Sequence, residues 1–263
     1  MNPQKTARSL TDDALKLIAM AAMLVDHIGV AMMENMLAVP LIEAGSGELG
    51  NWALLADLPF RMVGRIAFPI YCYLLVQGFL HTRSAARYAA RLAVFAAISE
   101  APYDLMVFGR LTAEAQNVFF TLAIGLLLMM ALRSLECGRL PARRRTAAMA
   151  VCVLAATALA YALHTDYDAM GVALIAALYL SRGDRGRQCA LSALAFLAAF
   201  GVYGAVTGYV FSGPVMELCS LPAFYLIGRG SGERRTRVNR YVFYFFYPAH
   251  LLALYGLELL LIR

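Results

Sequence analysis

Charge is scarce in this sequence. Of its 263 residues 15% are Asp, Glu, Lys or Arg while 61% are hydrophobic, and the mean hydropathy is +0.65. That balance excludes an ordinary water-soluble domain and fits a chain that crosses a membrane several times. Cysteine is sparse and scattered: Cys72, Cys137, Cys152, Cys189 and Cys219 contain no CxxC pair, so neither a disulfide framework nor a zinc site is suggested. They read as packing residues, and no metal is expected. Internal repeats and low-complexity tracts are missing, and a single domain over residues 1–263 accounts for the whole chain. A cleavable signal peptide is also not expected, because the first apolar segment is long and carries Asp26 and His27.

What is abundant is apolar sequence in membrane-length runs. A span needs about 20 mainly apolar residues. Candidate spans are Ala14–Met33, Ile66–Leu80, Tyr88–Met106, Asn117–Leu132, Thr146–Leu163, Met170–Leu180, Cys189–Phe211, Val215–Gly228 and Val242–Ile262. The reading is therefore all-α: a polytopic helical bundle of about nine transmembrane helices. The longest break, Glu34–Phe60, is rich in Gly and acidic residues and reads as an outer segment forming a small cap, with the single Trp52 as an interfacial anchor.

The charges orient this bundle, since Lys and Arg accumulate in cytoplasmic loops. With the N-terminus cytoplasmic, the inner segments hold Lys5, Arg8 and Lys16, then Arg83, Arg87 and Arg91, then Arg133, Arg139, Arg143, Arg144 and Arg145. Arg182, Arg185 and Arg187, and then Arg229, Arg234, Arg235, Arg237 and Arg240, continue the series. Arg61, Arg65, Arg110 and Arg263 fall outside, as do most acidic residues. An odd number of spans with a periplasmic C-terminus explains both signs, and the net charge of +6 needs no nucleic acid. A bacterial inner, cytoplasmic, membrane is the expected location, with membrane lipids as surroundings.

Against this background the polar residues inside the spans stand out. An intramembrane charge costs from a few to roughly 10 kcal/mol or more, so it faces a partner, a water-filled cavity or a substrate path. At 1.5 Å per residue, His27 lies roughly 18–20 Å along the first span and His250 roughly 13 Å along the last, so the two can meet near the midplane. Asp26 points about 100° away from its neighbour and needs its own partner, for which Arg65 is the first candidate and Arg61 the second. Arg61, Arg65, Phe68 and Cys72 share one helix face, and Glu100 and Asp104 share another. Arg65 with Glu100 is thus an expected pair, either a structural clasp or part of a site. Asn117 and Thr121 extend the same polar layer. Tyr241, Tyr244 and Tyr247 precede Pro248 and His250; they form an aromatic belt or, for Tyr244 and Tyr247, the wall of a path for a ligand from the cytoplasm. His81 and His164 read as solvated loop-edge residues, and Glu217 as a helix-dipole residue.

Several blocks taken in order resemble the TraX family. They are Leu15-Lys-Leu-Ile-Ala-Met-Ala-Ala-Met-Leu-Val-Asp-His-Ile-Gly29, Arg61-Met-Val-Gly-Arg-Ile-Ala-Phe-Pro69 and Gly78-Phe-Leu-His-Thr-Arg83. Further along come Ser99-Glu-Ala-Pro-Tyr-Asp104, Gln116-Asn-Val-Phe-Phe-Thr121, Asp166-Tyr-Asp-Ala-Met-Gly171 and Phe246-Tyr-Pro-Ala-His-Leu251. The chain departs from the pattern at Gln77, where an acidic residue is expected, and at Asp168, where glycine is. The resemblance implies a membrane acetyltransferase that moves an acetyl group from cytoplasmic acetyl-CoA to an envelope acceptor, a pilin N-terminal amine or a glycan hydroxyl or amine.

Acyl transfer needs a base, donors for the developing oxyanion, and positive charge for the CoA phosphates. His27 is the first choice as base and His250 the second, with Asp26 and Glu100 in the same catalytic group. Asn117 or an arginine serves the oxyanion, and Arg61, Arg65, Asp104, Asn117, Tyr244 and Tyr247 form the substrate and cofactor surface. The competing class is a proton-coupled transporter or flippase using the same buried groups, and a noncatalytic pilus-assembly scaffold is a third.

Overall fold

A computed structural model describes residues 10–208, 215–231 and 240–262, and among them every regular element is helical. Lys5, Arg8, Arg234, Arg235, Arg237 and Arg263, read as topology markers, lie outside the described residues.

Helix α1 spans Asp12–Gly29. Thr11 starts it by accepting the Ala14 N–H at 3.2 Å, with Asp12 and Asp13 in the favourable first turn. The rod continues through a π-helical stretch, Val30–Ala38, into α2, Val39–Glu43. Gly45 turns the chain at φ +80°, and α3, Gly47–Gly64, returns alongside α1 before α4, Ala67–His81, carries the rod on. Each of these rods exceeds 30 residues, about 48–53 Å at 1.5 Å per residue. The stretch 34–60 is therefore not a separate cap but the tip of a helical hairpin. Its glycines and acidic residues fall at the turn and on polar helix faces, and Trp52 is 69% exposed on α3.

The remaining helices are α5, Ala85–Phe108; α6, Val118–Cys137; α7, Ala142–Ala162; α8, Asp168–Leu180; α9, Arg185–Thr207; α10, Leu221–Gly228; and α11, Arg240–Ile262. Among the described residues, six rods are long and apolar enough to cross a membrane: Asp12–Glu43, Gly47–His81, Val118–Cys137, Ala142–Ala162, Arg185–Thr207 and Tyr241–Leu261. The protein is a multi-pass membrane protein. Of the nine expected spans, Met170–Leu180 and Val215–Gly228 correspond to short helices, and α5 is long but interrupted by Arg87, Arg91, Glu100 and Asp104.

Burial separates centre from periphery. The short α8 buries Met170, Gly171, Val172, Leu174, Ile175, Ala176, Leu178 and Tyr179 among α4, α6, α7 and α9. In contrast α7 buries only Ala160 and turns residues such as Val151 and Leu154 outward, an apolar exterior suited to lipid. Two close approaches set the α1–α3 interface. A β-carbon at Gly64 would run into the Asp26 side chain, and one at Gly29 into Asp57 and Phe60. Glycine at these positions lets two polar helices approach closely enough for their charges to meet.

Candidate functional site

The two intramembrane histidines meet. His250 on α11 donates its Nδ1–H to the Phe246 carbonyl one turn earlier at 2.7 Å, so its Nε2 carries the lone pair. That lone pair accepts from His27 Nδ1–H at 2.7 Å. By this relay the Nε2 of His27 keeps an unshared pair. His27 lines a cavity of about 620 Å³, whereas His250 is not among its lining residues and is buried behind it. The order carbonyl, His250, His27, cavity is what a positioned base requires. Tyr247, almost wholly buried, lies with its ring 6.2 Å from that of His27 and also lines the cavity.

The cavity is graded along its length. At one end it is lined by Lys16, Arg83, Arg87 and Arg91, with His81 and Tyr88 beside them. Arg91 lies over the rings of Tyr88 and Tyr244, and its Nε donates to the Tyr244 hydroxyl at 3.4 Å. Tyr71, Leu74, Leu75, Phe119 and Leu122 make an apolar middle. The far end is lined by Asp26, His27, Gly64, Phe68, Asp166 and Tyr167. From Phe68 to His81 along α4 this is a rise of about 20 Å at 1.5 Å per residue.

The charges pair differently from the expectation. Asp26 lines the cavity but binds Arg61, at 3.0 Å, rather than Arg65. Arg61 also lies 3.7 Å from Glu34 and 3.9 Å from Asp57, so one guanidinium serves three carboxylates. Arg65 does not meet Glu100. It pairs with the buried Glu217 at 3.1 Å and donates to the Tyr167 hydroxyl at 3.3 Å. Glu217 thus has a specific partner and is not a helix-dipole residue. Arg61 and Arg65 are four residues apart on one rod, but the helix breaks at Arg65–Ile66 between α3 and α4, and each arginine reaches a different element.

Glu100, Asp104 and Asn117 are not in the cavity lining. The Asn117 side chain caps α6 by accepting the Phe119 N–H at 3.0 Å, and its amide donates to the Ala96 carbonyl at 2.8 Å and to Glu100. Asp104 accepts the Thr112 N–H at 3.0 Å. These three join α5 to α6 and close a loop; with both amide protons of Asn117 engaged, it is not a free oxyanion donor.

Asp166 and Tyr167 were not among the expected site residues. Their loop is tied to residue 116 by two backbone hydrogen bonds, Gln116 N–H to His164 at 3.0 Å and Asp166 N–H to Gln116 at 2.8 Å, and the Thr121 hydroxyl donates to the Asp166 carbonyl. His164, Tyr167 and Asp168 all have positive φ, at 49°, 63° and 40°. The left-handed backbone at Asp168 explains why glycine is the expected residue there. The signal for this loop lay in the block Asp166-Tyr-Asp-Ala-Met-Gly171. There it carries the family resemblance without a site role, since no periodicity reveals a loop folded back into a bundle.

A family model described as TraX protein matches residues 11–258. The chain belongs to the TraX family. A relative from Dichelobacter nodosus, "Probable fimbrial assembly protein FimC, serogroup H1", is 28% identical over 262 residues, covering 94% of this chain and 95% of its own. No solved structure matches. The match takes in both histidines, the Arg61 and Arg65 face, and the Asp166 loop, so all of the cavity's far end falls within the region that defines this TraX chain.

Proposed function

We propose that this TraX protein is an acyl-CoA-dependent acetyltransferase of the bacterial inner membrane, with the basic end of its cavity facing the cytoplasm. The observation that carries the reading is the cavity itself: four cations at the mouth, an apolar shaft, and the unshared nitrogen of His27 at the far end. Acetyl-CoA is a molecule of that pattern. Lys16, Arg83, Arg87 and Arg91 suit its phosphates, the shaft suits the pantetheine arm, and the thioester then reaches His27.

In the proposed reaction His27 Nε2 takes the proton of an acceptor amine or hydroxyl as the acceptor's lone pair bonds to the thioester carbonyl carbon. The C–S bond then breaks, and the departing thiolate receives the proton from His27. While His27 is charged, its Nδ1–H bond to His250 strengthens, because a donor carrying positive charge binds a neutral acceptor more tightly. His250 is thus a positioning residue. Asp26, held by Arg61, borders the same end of the cavity.

The relative's printed name supports an acceptor among envelope proteins such as pilin, and a glycan amine or hydroxyl obeys the same chemistry. The experiment is mass spectrometry of envelope peptides and glycans from cells with and without this protein. An acetyl group present only when the protein is present supports the reading; identical acetylation in both overturns it.

A further inference from the structure

Once a thioester carbonyl sits at His27, its acyl chain must occupy the remaining space at the cavity's far end. Phe68 shapes that space. Its ring is stacked on Tyr167 with centroids 3.7 Å apart and planes 4° from parallel. On the α8 side, a β-carbon at Gly171 would come within 2.8 Å of Phe68 Cζ, so the ring is already pressed against that backbone. Phe68 is 3% exposed, and beyond it lies an aromatic cluster in which Phe196 is 6.4 Å from Phe68 and 5.0 Å from Phe200.

Tyr167 cannot swing aside cheaply. Its hydroxyl is bound by Arg65, which is itself paired with Glu217, and its loop is tied down by Gln116 and Thr121. The wall is therefore fixed from both sides. Its rim is polar as well, because Asp26 and Asp166 border the same space and an alkyl chain laid against them would strip water from carboxylates without replacing it.

From this arrangement we infer that Phe68, backed by Tyr167, selects the acyl donor by length, admitting a two-carbon group and rejecting longer chains. The inference rests on the donor reading above and adds the residues that set specificity. A rigid pocket discriminates a single methylene by about 10–200-fold, so several methylenes give a steep cut-off. Removing the Phe68 ring would deepen the cavity by the volume of that ring, towards Phe196, whose centroid lies 6.4 Å from that of Phe68.

The test uses the full-length protein in lipid nanodiscs with a peptide bearing a free N-terminal amine as acceptor, measuring binding of acetyl-, butyryl- and hexanoyl-CoA and the release of free CoA from each. Wild type is expected to turn over acetyl-CoA at least 100-fold faster than hexanoyl-CoA. Phe68→Ala should bring that ratio down by 10-fold or more, and Phe68→Leu, which keeps an apolar side chain in the wall and preserves folding, should shift the preference towards butyryl-CoA. Equal use of acetyl- and hexanoyl-CoA by wild type overturns the inference, as does an unchanged length ratio in folded Phe68→Leu. Failure of wild type to bind or turn over any of the three overturns the donor reading itself.

Discussion

His250 grips His27 from outside the cavity: a 2.7 Å contact joins its Nε2 to Nδ1 of His27, and a second 2.7 Å bond anchors His250 to the Phe246 carbonyl. The pair is unequal. One imidazole faces the cavity and the other sets its tautomer, so the two should not behave alike on substitution.

The ion pair of Arg65 with Glu217 predicts a thermodynamic coupling. Glu217 is 1% exposed at its side chain, so Arg65→Ala leaves a buried carboxylate without its cation. Breaking one half of such a pair costs about 3–5 kcal/mol, and the Arg65→Ala, Glu217→Ala double variant should be less unstable than the sum of the singles. Unfolding in detergent or bicelles measures this. Glu100→Ala, which meets Asn117 and not Arg65, should combine with Arg65→Ala additively.

The α1–α3 contact predicts opposite effects for two kinds of glycine. Gly64→Ala would drive a methyl into Asp26 and should destabilise by about 1–3 kcal/mol. Gly201 and Gly256 have open space where a β-carbon would go, and alanine there should be neutral or stabilise by about 0.5–1 kcal/mol. Thermal unfolding midpoints of the three variants give the comparison, and an unchanged midpoint for Gly64→Ala would contradict the packing described.

At the cavity mouth, Arg83→Gln and Arg87→Gln should weaken acetyl-CoA binding by about tenfold each while leaving kcat nearly unchanged, because in the proposed reading they hold the phosphates in ground and transition states alike. The effect should shrink as salt rises. A fall in kcat at constant KM would assign these residues another role.

Much of this was legible in the sequence because membrane burial is so demanding. His27 and His250 announced themselves by depth alone, and helix rise was enough to bring them to one level. Pairing was less legible. Arg65 and Glu100 lie on helix faces that suggest partners, yet Arg65 found Glu217, 152 residues away, because partner choice depends on how α3, α4 and the turn before α10 pack. The segment 34–60 misled for a related reason: glycine and acidic residues mark loops in water, but here they sit at the tip of a helical hairpin. Three of the expected site residues, Glu100, Asp104 and Asn117, have the polar chemistry of a site and are used instead to cap α6 and bind loop backbone.

The central claim is that His27 is the base, and acetyl transfer by the purified, membrane-reconstituted protein tests it most directly. Wild type, His27→Gln and His250→Gln are compared for acceptor labelling from acetyl-CoA, with acetyl-CoA binding measured alongside. The account predicts that His27→Gln binds acetyl-CoA as wild type does but loses about 10²–10⁴-fold in kcat, and that His250→Gln loses less, again in kcat rather than KM. A wild-type rate in folded His27→Gln would contradict it.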